Sequence, residues 1–289
     1  MAGLASSYDK AGRNGEAFKL NQQVLEMRKN KLGPDHPSTL TSMSNLASSY
    51  AKAGKKSEAL RLFQQVLELR KTKLGPNHPR TLHSMANLAA TYKNSGRVED
   101  AILMFEKAFE RSKNKGSLRQ FVPHLRDAYI KGKRVEKLKE LLQTSISKTR
   151  ATSDQIALRR ELGQSGYALL QVEAYVEAEK LLLENHELFS EEEAGSWQKF
   201  NAQSLLGAAL LKQEKHEEAA PLLTKGFAGL NDNAEQIPKT VRFKYLSRSA
   251  QWLIELAEAT ENEEDVEKWT AEKERIKNEH GQDPKTDSD

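Results

Sequence analysis

Residues 4–45 can be laid on residues 46–87 without a gap, and the two segments agree at 29 of 42 positions. A third copy begins at Leu88, a further 42 residues on, and runs to residue 116 as LAATYKNSGRVEDAILMFEKAFERSKNKG. A fixed period of this length requires a supersecondary module that buries its apolar face only by stacking on neighbours. Within each unit the apolar residues recur three and four apart, the spacing of an amphipathic helix. Small residues fall at two fixed places, Ala5, Ala47 and Ala89 and then Ala17, Ala59 and Ala101, with Tyr8, Tyr50 and Tyr92 between them. Small side chains let two antiparallel helices approach closely, and the tyrosine fills the space beside them. The glycine of AGRN, AGKK and NSGR suits a left-handed turn between the two helices.

A second punctuation closes each unit, GPDHPSTL at 33–40 and GPNHPRTL at 75–82. Gly33 and Gly75 stop one helix, and Pro34 and Pro76 forbid its continuation. Pro37 and Pro79 suit the first turn of the next. His36 and His78 lie one repeat apart, so they are expected to fix that turn by a hydrogen bond.

Small and large residues at fixed offsets on a helix-turn-helix unit resemble the tetratricopeptide repeat (TPR), whose usual period is about 34 residues. The 42-residue form with a GPxHP linker resembles the repeats of kinesin light chains and their bacterial relatives, over residues 4–112. This resemblance implies an all-α, right-handed TPR superhelical solenoid. Beyond residue 115 the consensus loosens, but a two-helix rhythm persists in 125–142, 162–188, 205–230 and 246–277, giving about seven pairs. Gly166 with Ala178, and Gly207 with Ala219, take the small positions. The expected organisation is kinesin-light-chain-like repeats at 1–115, the first truncated, then a degenerate pair or adaptor at 116–160. Divergent TPR-like pairs follow at 161–280 and a disordered tail at 281–289. Ser190 and Glu193 read as a capping box opening a helix that runs toward Gln213. Met1 falls inside the first helix of its repeat, which leads us to expect a piece of something longer.

Composition narrows the function. No apolar run reaches the length of a membrane span, and no secretory signal opens the chain. The absence of cysteine excludes disulfides and thiolate chemistry and fits a cytoplasmic setting. No phosphate-binding loop, kinase motif or H-E-x-x-H occurs, and no two histidines stand at helical ligand spacing. We therefore expect no catalytic residue, no metal and no cofactor. The acidic clusters at 191–193 and 263–265 read as first-turn helix charges. Trp197, Trp252 and Trp269 read as packing residues. Residues 1–150 hold 29 Lys and Arg against 13 Asp and Glu, net +16, whereas 151–289 hold 16 against 28, net −12. The basic stretch 113–150 lacks the interleaved aromatics of a base-stacking surface, so no nucleic-acid partner is expected.

What remains is a surface for protein or peptide. The resemblance to kinesin-light-chain-type repeats implies that the first helix of each pair lines a groove, where an Asn before the Leu-Ala pair holds a peptide backbone. The matching residues are Asn45 and Asn87; repeat 1 departs from the pattern with Gly3. Ser48 follows one turn later, and Lys52, Lys93 and Asn94 add polarity and charge. The two-carboxylate clamp of chaperone-binding TPR proteins needs Asn where this chain has Ser48 and Ala90. Residues 204–230 and 252–274 resemble the end of planctomycete serine/threonine kinases that carry such repeats as tails. That implies a recruiting tail of a larger signalling protein, with no catalytic residue carried over, or a fragment of such a kinase. Self-association through the uncapped first repeat is the structural alternative.

Overall fold

The computed structural model describes residues 2–112 and 121–280. Among these residues are fourteen α-helices. They are α1 (Ala2–Lys10), α2 (Asn14–Leu32), α3 (Pro37–Lys52), α4 (Lys56–Leu74), α5 (Pro79–Asn94), α6 (Val98–Ser112) and α7 (Val122–Lys131), followed by α8 (Val135–Arg150), α9 (Gln155–Leu170), α10 (Tyr175–Glu187), α11 (Trp197–Leu211), α12 (His216–Asp232), α13 (Lys239–Ala259) and α14 (Glu263–His280). A single 3-10 turn at Ala234–Gln236 separates α12 from α13. No helix of the described residues is long and apolar enough to cross a membrane. The expected tail, 281–289, lies outside the described residues.

The helices form seven consecutive pairs, each closed by the same turn. The backbone N–H groups of Arg13, Lys55, Arg97, Arg134, Ala174, Lys215 and Asn262 donate to the carbonyls five residues earlier at 2.8–3.1 Å. The residue before each donor has positive φ: Gly12, Gly54 and Gly96 in the first three pairs, then Lys133, Glu173, Glu214 and Glu261 at φ 51–62°. The later pairs therefore keep the turn and lose only the glycine that announces it. A left-handed conformation at a residue with a Cβ is strained, so this geometry is held by the helices it joins.

Between pairs of the N-terminal repeats the linker is clipped from three sides. Gly33 and Gly75 take φ of 86° and 85°. His36 and His78 cap α3 and α5, each Nδ1 accepting from the N–H two residues on, Ser38 or Arg80, at 3.1 Å. Thr39 and Thr81 donate to the carbonyls of Gly33 and Gly75 at 2.8 and 2.9 Å. Arg28 and Arg70 reach across to Ser42 and Ser84 at 2.8 and 2.7 Å. Burial lowers the Arg70 pKa, with Arg80 adding to the effect.

The chain divides into two compact units, Met1–Leu138 and Lys139–Asp289. In the first, α1–α6 pack each on the next, α6 meets α7, and α5 also touches α7. Its core runs through Ala17, Ala47, Ala59, Ala89 and Ala101, all fully buried, with Phe63, Phe105 and Leu67. In the second unit α9–α14 pack in sequence, and the first helices of successive pairs also meet, α9 with α11 and α11 with α13. There Gly166 and Gly207 take the small position, since a Cβ at either would lie 2.5 or 2.8 Å from Cγ of Leu182 or Leu223. Gly229 lets α12 lie against α11, where a Cβ would run into the Phe200 ring.

Two local expectations change. Ser190 and Glu193 do interact, the Ser190 N–H and hydroxyl both donating to the Glu193 carboxylate at 3.2 Å. No helix starts there, however. The segment turns, and α11 begins only at Trp197, capped by Ser196 donating from Oγ to the Glu193 carbonyl while accepting from the Lys199 N–H. The helix ends at Leu211 rather than near Gln213. Glu193 instead grips Arg159 through two bonds of 2.7 and 2.8 Å. The acids 191–193 thus stand ahead of the helix, whereas Glu263, Glu264 and Asp265 do occupy the first turn of α14.

Candidate protein-binding face

The unburied positions of α3 and α5 follow one register. Thr41, Asn45, Ser48 and Lys52 are exposed or half-buried, as are their 42-residue equivalents His83, Asn87, Ala90 and Asn94. The intervening Leu40, Met43, Leu46 and Ala47, and Leu82, Met85, Leu88 and Ala89, are buried. Steps of four, three and four residues keep a stripe on one side of a helix, so each helix turns its apolar side to the core and this stripe outward.

Asn45 is exposed and Asn87 half-buried. Their backbone carbonyls accept from the hydroxyls of Ser49 and Thr91 at 3.2 and 2.8 Å. Their side-chain amides make no hydrogen bond with any described residue. Each keeps a donor and an acceptor for another molecule. Ser48 spends its hydroxyl hydrogen on the Ser44 carbonyl at 3.1 Å, leaving lone pairs outward. Lys52 and Asn94 are exposed at the ends of α3 and α5.

Lys93 sits one position off the stripe. Its ammonium is ion-paired with Asp127 on α7, and its side chain is only 15% exposed. Burial and the nearby Lys131 hold its pKa below the usual lysine value. Its charge is engaged within the fold by that pair. Two histidines join this face beyond the residues read from the repeat. His124 of α7 stacks its ring on Phe105, planes parallel and centroids 5.4 Å apart. His83 and His124 both titrate below the ordinary histidine value, from burial first and then from cations, Arg70 for His83 and Lys93 for His124. His83 could be found from the repeat register; His124 could not, because its segment falls outside the 42-residue period.

Residues 1–72 and 58–114 match the sequence profile of the tetratricopeptide repeat. No curated protein matches the chain significantly. Among solved structures, the C-terminal part of a TPR repeat-containing protein from Cytophaga hutchinsonii is 13% identical with a TM-score of 0.51, covering 99% of this chain and 97% of that one. The apo form of the quorum sensor NprR from B. thuringiensis is 14% identical with a TM-score of 0.50, covering 95% and 86%. A kinesin-light-chain protein from Podospora anserina with nearly identical TPR-like repeats is 22% identical with a TM-score of 0.48, covering 82% and 95%. The likeness to the first two of these structures is one of fold. Residues 1–114, with their 42-residue helical pairs, glycine turns and alanine contacts, match the tetratricopeptide-repeat family model.

Proposed function

We propose that this chain is a non-catalytic scaffold that binds a protein or peptide segment along the outward stripe of its first helices, with Asn45 and Asn87 holding the ligand backbone. The observation that carries this reading is the repetition of an unbonded carboxamide at equivalent positions of α3 and α5. An exposed amide kept in register suits a peptide group, which also offers one donor and one acceptor. Ser48, Lys52 and Asn94 extend the same stripe, and Lys93 supports it by fixing α5 to α7. The finer reading, a recruiting arm for a kinase domain in a longer cytoplasmic polypeptide, rests on the resemblance of the C-terminal pairs to kinase-linked tails.

The test is to select peptide ligands on the full chain by display and then measure their affinity for an Asn45→Ala/Asn87→Ala double variant. Losing two bidentate amide contacts costs about 2 kcal/mol, roughly thirtyfold in affinity. Equal affinity for both proteins removes Asn45 and Asn87 from the site. Self-association is the second reading, favoured by Leu4, which is 50% exposed while its equivalents Leu46 and Leu88 are buried. Light scattering expects a mass that rises with concentration; a strict monomer at high concentration excludes it.

A further inference from the structure

Three residues on the first helices of the second unit share one register. Arg160 on α9, Asn201 on α11 and Arg248 on α13 each stand thirteen positions before the left-handed residue of their turn, Glu173, Glu214 and Glu261. The shared register sets them as one rung across successive first helices, and two of them touch, Arg248 Nη2 donating to Asn201 Oδ1 at 2.9 Å. The Arg248 guanidinium of α13 also reaches the Tyr167 ring of α9, 4.4 Å from its centroid.

Arg248 is bound unlike four of the other arginines of this unit. Arg150, Arg159, Arg242 and Arg275 all pair with glutamates. Arg248 has no carboxylate partner among the described residues. Its cation sits over Tyr167, Trp252 and Tyr245 at 4.4, 5.1 and 5.2 Å, and Nε is buried with no hydrogen-bond partner. The acid nearest in sequence on the same helix, Glu255, is held by Lys212 at 2.9 Å and by Gln251. Burial without a counterion costs free energy that aromatic faces offset only in part. Rings covering the faces of a guanidinium leave its in-plane N–H edge, the edge that receives a carboxylate. Asn201 adds to that edge: with Oδ1 accepting from Arg248, its amide N–H groups remain to donate. Arg160, exposed and without an ion-pair partner among the described residues, supplies a second cation on the rung.

We propose that the Arg160–Asn201–Arg248 rung binds the side-chain carboxylate of an Asp or Glu in an extended segment of a partner protein. This site lies in the other unit from Asn45 and Asn87 and does not depend on them. It also places a cationic centre within the half of the sequence that is net acidic, where the surrounding charge disfavours indiscriminate capture of polyanions.

The test uses the full chain labelled with 15N and follows the arginine Nε–Hε NMR signals. The Arg248 signal is assigned by its absence in Arg248→Gln. The probe is the pentapeptide Ala-Ala-Glu-Ala-Ala, acetylated and amidated, beside its Gln counterpart and an all-Ala peptide with a free C-terminus. A saturable shift of the Arg248 signal by the Glu peptide at up to about 10 mM, the range a single ion pair supports, is expected. Arg160→Gln, on an exposed position that leaves the fold intact, weakens that response about threefold. Arg248→Lys, which keeps the charge and loses the fork, weakens it about tenfold. Asn45→Ala/Asn87→Ala leaves it unchanged, which separates this site from the stripe of the first unit. Three results overturn the proposal: no saturable shift with the Glu peptide, an equal shift with the Gln peptide, or a shift only with the free C-terminus, which assigns the rung to a chain end.

Discussion

At the scale of single residues the protein separates contacts that build the fold from groups left available. Glu193 belongs to the first kind. The Arg159 fork, and after it the Ser190 N–H, hold its carboxyl down to about 2. A carboxylate depressed in the folded state contributes stability that is present above its ordinary value of 4.5 and is lost as pH falls through about 2. An NMR titration of the Glu193 carboxyl carbon should show a midpoint near that value, and Arg159→Gln should return it to the ordinary carboxylate range. A native midpoint near 4.5 would remove the clamp. Gly166 tests packing in the same way. A methyl there meets Leu182, while one at Gly163, three residues earlier, meets only Asn185 at 3.6 Å. Gly166→Ala is expected to cost about 1–3 kcal/mol in urea unfolding. Gly163→Ala is expected to be neutral or to stabilise by up to about 1 kcal/mol through helix propensity. The small position of Gly166 is legible in the chain as the counterpart of Ala89. That Lys93 spends its charge on Asp127 is not, because the partner arrives from a helix outside the 42-residue period.

At the scale of elements, the seven turns between paired helices have one geometry and two compositions. The first three use glycine at the left-handed residue and the last four use Lys133, Glu173, Glu214 and Glu261. Relief of left-handed strain makes glycine better at each of these four sites. Glu173→Gly and Glu214→Gly should each raise stability by about 0.5–1 kcal/mol, and Gly54→Ala should lower it by about 1 kcal/mol. Thermal melts of the three variants check this, and a lowered melting temperature for both glutamate substitutions would mean the turns are not under strain. The element that sequence reading misplaces is α11. Ser190 and Glu193 satisfy the local pattern of a capping box, yet Glu193 is drawn to Arg159 on α9 and the chain turns again before Ser196 caps the helix. A capping pattern is a local signal, and a bidentate ion pair from another helix outweighs it.

At the scale of the whole chain, each pair is stabilised by its neighbours, so position in the array sets local stability. Helix α1 packs principally on α2 and α14 principally on α13, whereas α11 packs on α9, α10, α12 and α13. Native-state hydrogen exchange should therefore find the amides of α1 and α14 opening first and those of α11 last; uniform protection along the chain would contradict nearest-neighbour stabilisation. The architecture that produces this gradient is written locally. The period, the pairing of helices, the glycine turns and the Pro–His linkers depend on residues a few positions apart, and the sequence alone determines them. The fate of each polar side chain is decided elsewhere. Asn45 and Asn87 keep their amides unbonded, Lys93 is consumed by Asp127 and Arg248 is enclosed by Tyr167, Tyr245 and Trp252 without a carboxylate. These outcomes depend on which helices stacking brings together, 34 residues apart for Lys93 and Asp127 and 47 for Arg248 and Asn201. Chain spacing encodes helix and turn because their hydrogen bonds are short-range. The satisfaction of charge and amide is a property of the assembled face, and only the tertiary structure decides it.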